Sequence, residues 1–202
     1  MVDFENISVT LQSGAVVRVD AWPGSDAAQP IIIVGPGTSA EDWSDFASRL
    51  VASRAPVLAG VSSALELVLL IWELGEPVLL LSQGDAAAAW VSQVVNLAPG
   101  AVTALAICDG VVPADLIGTM HAVSTLILRG RQSKLQSHED AVRLREALPH
   151  SMLIEPEDCG DFPAKDNPDS AAAALNLFIT GLGESGESAD AYSDSEPVDP
   201  KS

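Results

Sequence analysis

The sequence predicts an α/β domain, a mainly parallel sheet with helices on both faces. Three observations point there. Short Val-, Ile- and Leu-rich runs alternate with helix-like segments along most of the 202 residues. Those runs are apolar throughout rather than alternately polar, as strands covered on both faces are. At 78–90, VLLLSQGDAAAAW, one such run turns near Gly84 into four consecutive alanines, small enough to let a helix lie close against the sheet.

Segments 7–11 and 15–21 flank Ser13-Gly14 and read as a β-hairpin. A loop with Pro23, Gly24 and Pro30 leads to a strand at 31–34, which Gly35-Pro36-Gly37 breaks. Ser39 caps a helix expected to run to about Ser53, with Glu41 and Asp42 in the first turn, where the helix dipole favours anions. A short strand at 56–60 precedes a helix opened by Ser62 or Ser63 and closed after Leu74 by Gly75. A strand over 78–82 and a helix over 85–97 follow, ended by Pro99-Gly100. Strands at 103–108, 123–128 and 152–154 are separated by at most a short helix in 111–120 and a full one over 138–148. An alanine-rich helix over 168–182 closes a single domain expected to span 1–183.

Hydrophobic residues make up 48% of the chain, and the formal net charge is −18. That charge opposes nucleic acid and anionic membrane surfaces, both polyanions. The most apolar stretch, 65–74, is broken by Glu66 and Glu73 and is too short to span a bilayer. The N-terminus lacks a basic region followed by an apolar one, so the chain reads as cytoplasmic. Cys108 and Cys159 are too few for a disulfide framework. Residues 184–202 carry six acids and one Lys with almost nothing apolar, and read as an acidic disordered tail.

The strand-turn-helix at 78–90 resembles the nucleophile elbow of the α/β-hydrolase superfamily, where G-x-S-x-G lifts a serine above the sheet. Other stretches are similar to further landmarks of that superfamily, in the same order. ISVTLQSGAVVRVDAWPG resembles the opening hairpin, and IIIVGPGTSAEDW the third strand with its H-G-x loop. APGAVTALAICDG resembles the sixth strand, and STLILRGRQSKLQSHEDA the seventh with its acid-bearing loop. CGDFPAKDNPDSAAAALNLFI resembles the stretch that carries the catalytic His. The resemblance covers about residues 7–182 and implies an α/β-hydrolase-like sheet behind an N-terminal hairpin. The short segment 110–122 leaves no room for a cap domain.

The superfamily's triad runs nucleophile, acid, His. Counting without gaps from Leu74-Gly75 and from Pro99 places Asp85 at the elbow, the preferred register; aligning the glycine pattern places Gly84 there instead. The acid position falls on Ser133, although a minority of the superfamily carries the acid after the sixth strand, where Asp109 stands. The His position falls on Asp161, while His121, His138 and His150 lie elsewhere and read as structural or surface residues. In the oxyanion loop H-G-x becomes Val34-Gly35-Pro36. Proline has no N–H to offer a developing negative charge, and losing one such donor typically costs about 10²–10³ in rate. One donor is expected to remain at Ala86.

Three readings are open. In the first, the scaffold has lost hydrolysis and binds a protein partner or a small ligand, with no cofactor and no metal. In the second, Asp85 is a carboxylate nucleophile, as the resemblance to haloalkane dehalogenases and epoxide hydrolases implies. Asp109, 24 residues on, is then the acid, and Asp161 the base only if neighbouring carboxylates raise its pKa. In the third, Asp85, Asp109 and Asp161 gather around Mg²⁺ or Ca²⁺; the plainer alternative is that loop aspartates cap helices and face water. The cysteines read as buried packing, because acidic surroundings raise a thiol's pKa. Trp43, Trp72 and Trp90 read as packing residues too, and Glu66, Glu73, Arg143 and Arg145 as solvated helix faces. The apolar helix over 64–74 leaves homo-oligomerisation open.

Overall fold

A computed structural model describes residues 4–24, 29–50 and 53–190. Its strands are β1 (Glu5–Thr10), β2 (Val16–Ala21), β3 (Gln29–Val34), β4 (Ser53–Ala59), β5 (Val78–Gln83), β6 (Val102–Cys108), β7 (Ser124–Leu128) and β8 (Ser151–Ile154). They form one sheet in the order β1-β2-β4-β3-β5-β6-β7-β8. The hairpin strands β1 and β2 run antiparallel, and β2 meets β4 antiparallel; from β4 to β8 every pairing is parallel. The helices are α1 (Ala40–Ala47), α2 (Ala64–Leu74), α3 (Gly84–Leu97), α4 (Ala114–Ile117), α5 (His138–Ala147), α6 (Pro163–Asp166) and α7 (Pro168–Asp190).

Successive residues of a strand point to opposite faces, so each apolar run feeds two cores. Ile32, Val78 and Leu80 join α2, α3 and α5 on one side. Ile31, Ile33, Leu79 and Leu81 join α1, α6 and α7 on the other. This is why the runs are apolar at every position. Helix starts use the expected serines. Ser63 accepts the Glu66 N–H at 3.3 Å, and the Glu66 carboxylate reaches back to accept the Ser62 N–H at 2.7 Å. Glu66 therefore caps its helix rather than merely facing water. Gly75, at φ 75, closes α2 in the left-handed conformation.

Several details differ from expectation. The helix capped by Ser39 ends at Ala47, not near Ser53, because Ser53 already pairs with Gln29 across the parallel β3–β4 ladder. Tertiary pairing overrides local helix preference there. The last helix continues past Leu182 to Asp190. Residues 191–202 of the expected tail lie outside the described residues. The short helix α6 was not anticipated. Trp72 is half-exposed rather than packed. Between β6 and β7 the chain adds only α4 and a 3₁₀ turn, so no cap covers the sheet there. No helix among the described residues is long and apolar enough to cross a membrane.

Candidate functional site

The carboxyl ends of the parallel strands bring the predicted residues to one edge. At the junction of β5 and α3 the backbone turns at Gly84, whose φ is +78, while Asp85 lies inside the first turn of α3. The bend residue is thus Gly84, which corrects the expected register. A glycine takes positive φ without the steric penalty that an Asp Cβ incurs. A Cβ built on Gly84 would meet nothing within 4 Å, so the position has room for a side chain and carries none. Asp85 is exposed, and its Oδ1 accepts the Val111 N–H at 2.8 Å. It ties the loop after β6 to α3. In this register the N–H that follows the bend belongs to Asp85, not to Ala86.

The loop after β3 is a type II turn. Thr38 N–H donates to Gly35 O at 3.0 Å across Pro36 and Gly37, with Gly37 at φ 79. The Thr38 hydroxyl also donates to Gly35 O at 2.6 Å, and it accepts the Trp43 indole N–H at 2.9 Å. Pro36 occupies the second position of the turn, where its fixed φ suits the turn and no donor remains. Trp43 stacks edge-on against Phe162 at 4.9 Å, and Lys165 pairs with Asp42 at 2.5 Å. These contacts fasten α1 to the loop that carries Asp161.

Asp109 follows β6 at φ 42 and is fully buried. Its Oδ2 accepts the Gly130 N–H at 3.0 Å, and its Oδ1 has no donor. Burial pushes its carboxyl up from 3.8 to about 6, against the Ser133 hydroxyl, the Gly130 N–H and the charge of Arg129, which all pull it down. Asp161 is the opposite case. Its Oδ1 accepts the Lys134 N–H at 2.5 Å, the Leu135 N–H at 3.1 Å and the Ser133 hydroxyl at 3.1 Å. The Lys134 N–H foremost holds this carboxyl below its ordinary value. The raised pKa a catalytic base would need is therefore absent at Asp161.

The three aspartates do not form a cation cage. Each carboxylate is spent on a different backbone segment, and no cluster of three His, Cys, Asp or Glu suited to a metal occurs among the described residues. Cys108 and Cys159 are buried free thiols, as expected; burial pushes Cys159 up to about 11 and Cys108 higher still. His138 pairs with Glu155 at the start of α5, and His121 and His150 are exposed away from this edge.

Sequence reasoning missed three residues here. Gln83, just before the bend, donates to the Asp161 carbonyl at 2.7 Å. Gln136 is buried and donates to Gly110 O at 2.9 Å. Arg129 is buried after β7: its Nε donates to Gln136 O at 2.7 Å, and its terminal nitrogens reach the Arg131 and Ser133 carbonyls and the Glu155 carboxylate. The Gln83 and Gln136 side-chain oxygens, like Asp109 Oδ1, are buried acceptors without a donor. The corner is rich in acceptors and holds no histidine.

No protein-family model matches the chain, and no curated protein resembles it in sequence. Solved structures match it in shape. A membrane phospholipase A described as a bacterial virulence factor superposes with a TM-score of 0.76 at 13% identity, over 89% of this chain and 87% of that one. The haloalkane dehalogenase DbeA from Bradyrhizobium elkani gives 0.75 at 12% identity, over 91% and 100%. A thermophilic esterase from Thermogutta terrifontis gives 0.73 at 11% identity, over 88% and 99%. The likeness at this identity is one of fold.

Proposed function

We propose that this chain, which has the α/β-hydrolase fold, does not hydrolyse substrates and works as a binding or interaction protein. Gly84 carries the reading: the residue at the left-handed bend has no side chain with which to attack. The surrounding corner supports it. A base must accept a proton near neutral pH, and Asp161 is held in its ionised form by three donors. Pro36 offers no oxyanion donor. Asp85, the remaining candidate nucleophile, spends one carboxylate oxygen on Val111. The net charge of −18 directs binding toward basic or neutral partners rather than nucleic acid.

The test is direct. Purified chain and its Asp85→Asn variant are incubated with p-nitrophenyl acetate, an acyl thioester and 1-chlorobutane. The expected result is no turnover proportional to protein and no added mass on the chain. Turnover that Asp85→Asn abolishes would overturn the reading and restore the carboxylate nucleophile.

A further inference from the structure

Strand β1 is one edge of the sheet, and five of its six residues are exposed. The ladders show which of its backbone groups face away from β2. Leu11 N–H donates to Ala15 O at 2.8 Å, in line with the β1–β2 register. Across β2, Gly60 N–H donates to Arg18 O at 2.8 Å and Trp22 N–H to Pro56 O at 3.0 Å. Bonding groups alternate between the two sides of a strand in an antiparallel pair. Glu5, Ile7 and Val9 therefore bond β2, while Asn6, Ser8 and Thr10 aim their N–H and C=O groups outward. Such a row is a template for another strand, and edges are commonly blunted with Lys, Pro or a bulge. β1 contains neither residue, and its register with β2 is unbroken.

We propose that β1 pairs with β1 of a second copy of this chain, antiparallel about a twofold axis at Ser8, so that two sheets become one. The strand's own sequence selects that occupant. Centred on Ser8, the outward row matches itself with nothing left over: Ser8 meets Ser8, and Asn6 meets Thr10 of the second copy. The core face matches too. Ile7 lies opposite Val19 in the hairpin, beside the packed Val9 and Val17, yet is 43% exposed. In this register it faces Val9 of the second copy, and the apolar row runs from one core into the other. Charge does not oppose the contact. The two hairpin strands carry only Glu5, Arg18 and Asp20, and Arg18 pairs with Asp20 at 3.6 Å. Glu5 lands beside Leu11 of the second copy, which leaves the two Glu5 side chains roughly 20 Å apart along the strands. That exceeds the screening length of about 8–10 Å near physiological salt. A foreign strand would find no charge among Asn6, Ser8 and Thr10 to recognise. The pairing goes beyond the reading of the corner near Gly84 and does not depend on it.

The full chain is sedimented from about 10 µM to about 1 mM, the range in which a small interface associates, at low and high salt. A monomer–dimer equilibrium is expected. It shifts toward dimer as salt rises, because the two chains of charge −18 repel until screened. Hydrogen exchange at the Asn6, Ser8 and Thr10 amides slows with concentration, while Ile7 and Val9 are protected throughout. Ser8→Pro removes an outward N–H that β2 does not use, a place where an edge strand tolerates proline. It abolishes the dimer and leaves thermal unfolding of the dilute monomer near wild type. Ile7→Lys, at an exposed position, weakens association about tenfold or more by an independent route. A chain that stays monomeric throughout, or a dimer indifferent to both variants, would overturn the pairing. So would concentration-dependent protection at Ser151 and Leu153 on the other edge instead of at β1. Turnover in the hydrolysis assay leaves each of these outcomes unchanged.

Discussion

The Ser133 hydroxyl donates to Asp161 Oδ1 at 3.1 Å, and these are the two residues at the acid and His positions implied by the resemblance. The pairing is kept with its polarity inverted. The residue at the acid position is the donor, and the residue at the His position is the acceptor. Such a pair cannot pass a proton onward to a nucleophile. It organises the turn at 133–136, where Ser133 Oγ also accepts the Leu135 and Gln136 N–H groups at 3.2 and 3.3 Å. The pair braces this loop.

Asp161→Ala removes the acceptor for the Lys134 and Leu135 N–H groups. It is expected to cost about 1–3 kcal/mol in urea unfolding, with faster hydrogen exchange at those two amides. Asp161→Asn keeps one acceptor oxygen and costs less. The folded carboxyl lies below its ordinary 3.8, so the stability it adds is fully present above 3.8 and is lost as pH falls through the folded value. The gap between wild type and Asp161→Asn therefore closes at acid pH. A gap that widens there would refute the brace.

Asp109 has the opposite sign. Its carboxyl is raised from 3.8 to about 6, so the native state holds that proton more tightly than the unfolded chain does. Stability falls as pH climbs through this window and stays lower above it. At about 1.36 kcal/mol per unit, the ionised form loses roughly 3 kcal/mol at most. Asp109→Asn removes the charge, keeps an acceptor for the Gly130 N–H and tolerates the left-handed backbone. Its amide also brings a donor into a corner where the Gln83 and Gln136 oxygens have none. The variant is expected to be more stable than wild type by about 1–3 kcal/mol near pH 8, with the gain fading toward pH 4. Thermal unfolding across that range measures it, and a destabilised variant at pH 8 would contradict the account.

How far the fold could be read from sequence follows from how each part is held. The parallel strands were legible because Ile31–Ile33 and Leu79–Leu81 must be apolar on both faces. The start of α2 was legible because Ser63 caps it through a contact three residues away. Gap-free spacing points one residue past the bend, because spacing does not register backbone energy. A φ of +78 favours glycine over aspartate, and Gly84 was the available signal. Arg129 and Gln136 were not legible at all. Their partners are carbonyls chosen by loop closure, such as Gly110 O, and no periodicity encodes them.

Arg129 makes the loop after β7 vulnerable. It is buried, bonds the carbonyls of Gln136, Arg131 and Ser133, and pairs with Glu155 at 2.7 Å. Arg129→Ala leaves the Glu155 carboxylate with His138 alone and those carbonyls partly buried without their donor, a loss of about 3–5 kcal/mol. Arg129→Lys is expected to recover little, since an ammonium cannot span the fork of acceptors that a guanidinium does. Denaturant midpoints of the two variants measure this. A lysine variant as stable as wild type would show that charge alone matters there.

Gly84→Ser separates missing chemistry from missing space. The site accepts a Cβ without contact, so the variant folds, with a strain of about 1–2 kcal/mol from the left-handed backbone. It remains inactive on p-nitrophenyl acetate, because Asp161, at the His position, is held ionised below its ordinary value, and Asp109, though raised to about 6, is fully buried with one oxygen held by the Gly130 N–H. Adding Asp161→His and Ser133→Asp supplies a base and an acid at the two positions already joined at 3.1 Å. A slow acetylation of the introduced serine in the triple variant, absent from Gly84→Ser alone, is the expected result. It stays about 10²–10³ below an intact oxyanion site while Pro36 withholds its donor. Full activity in the single variant would mean that a base already stands beside the bend, and the inert corner would be the wrong picture.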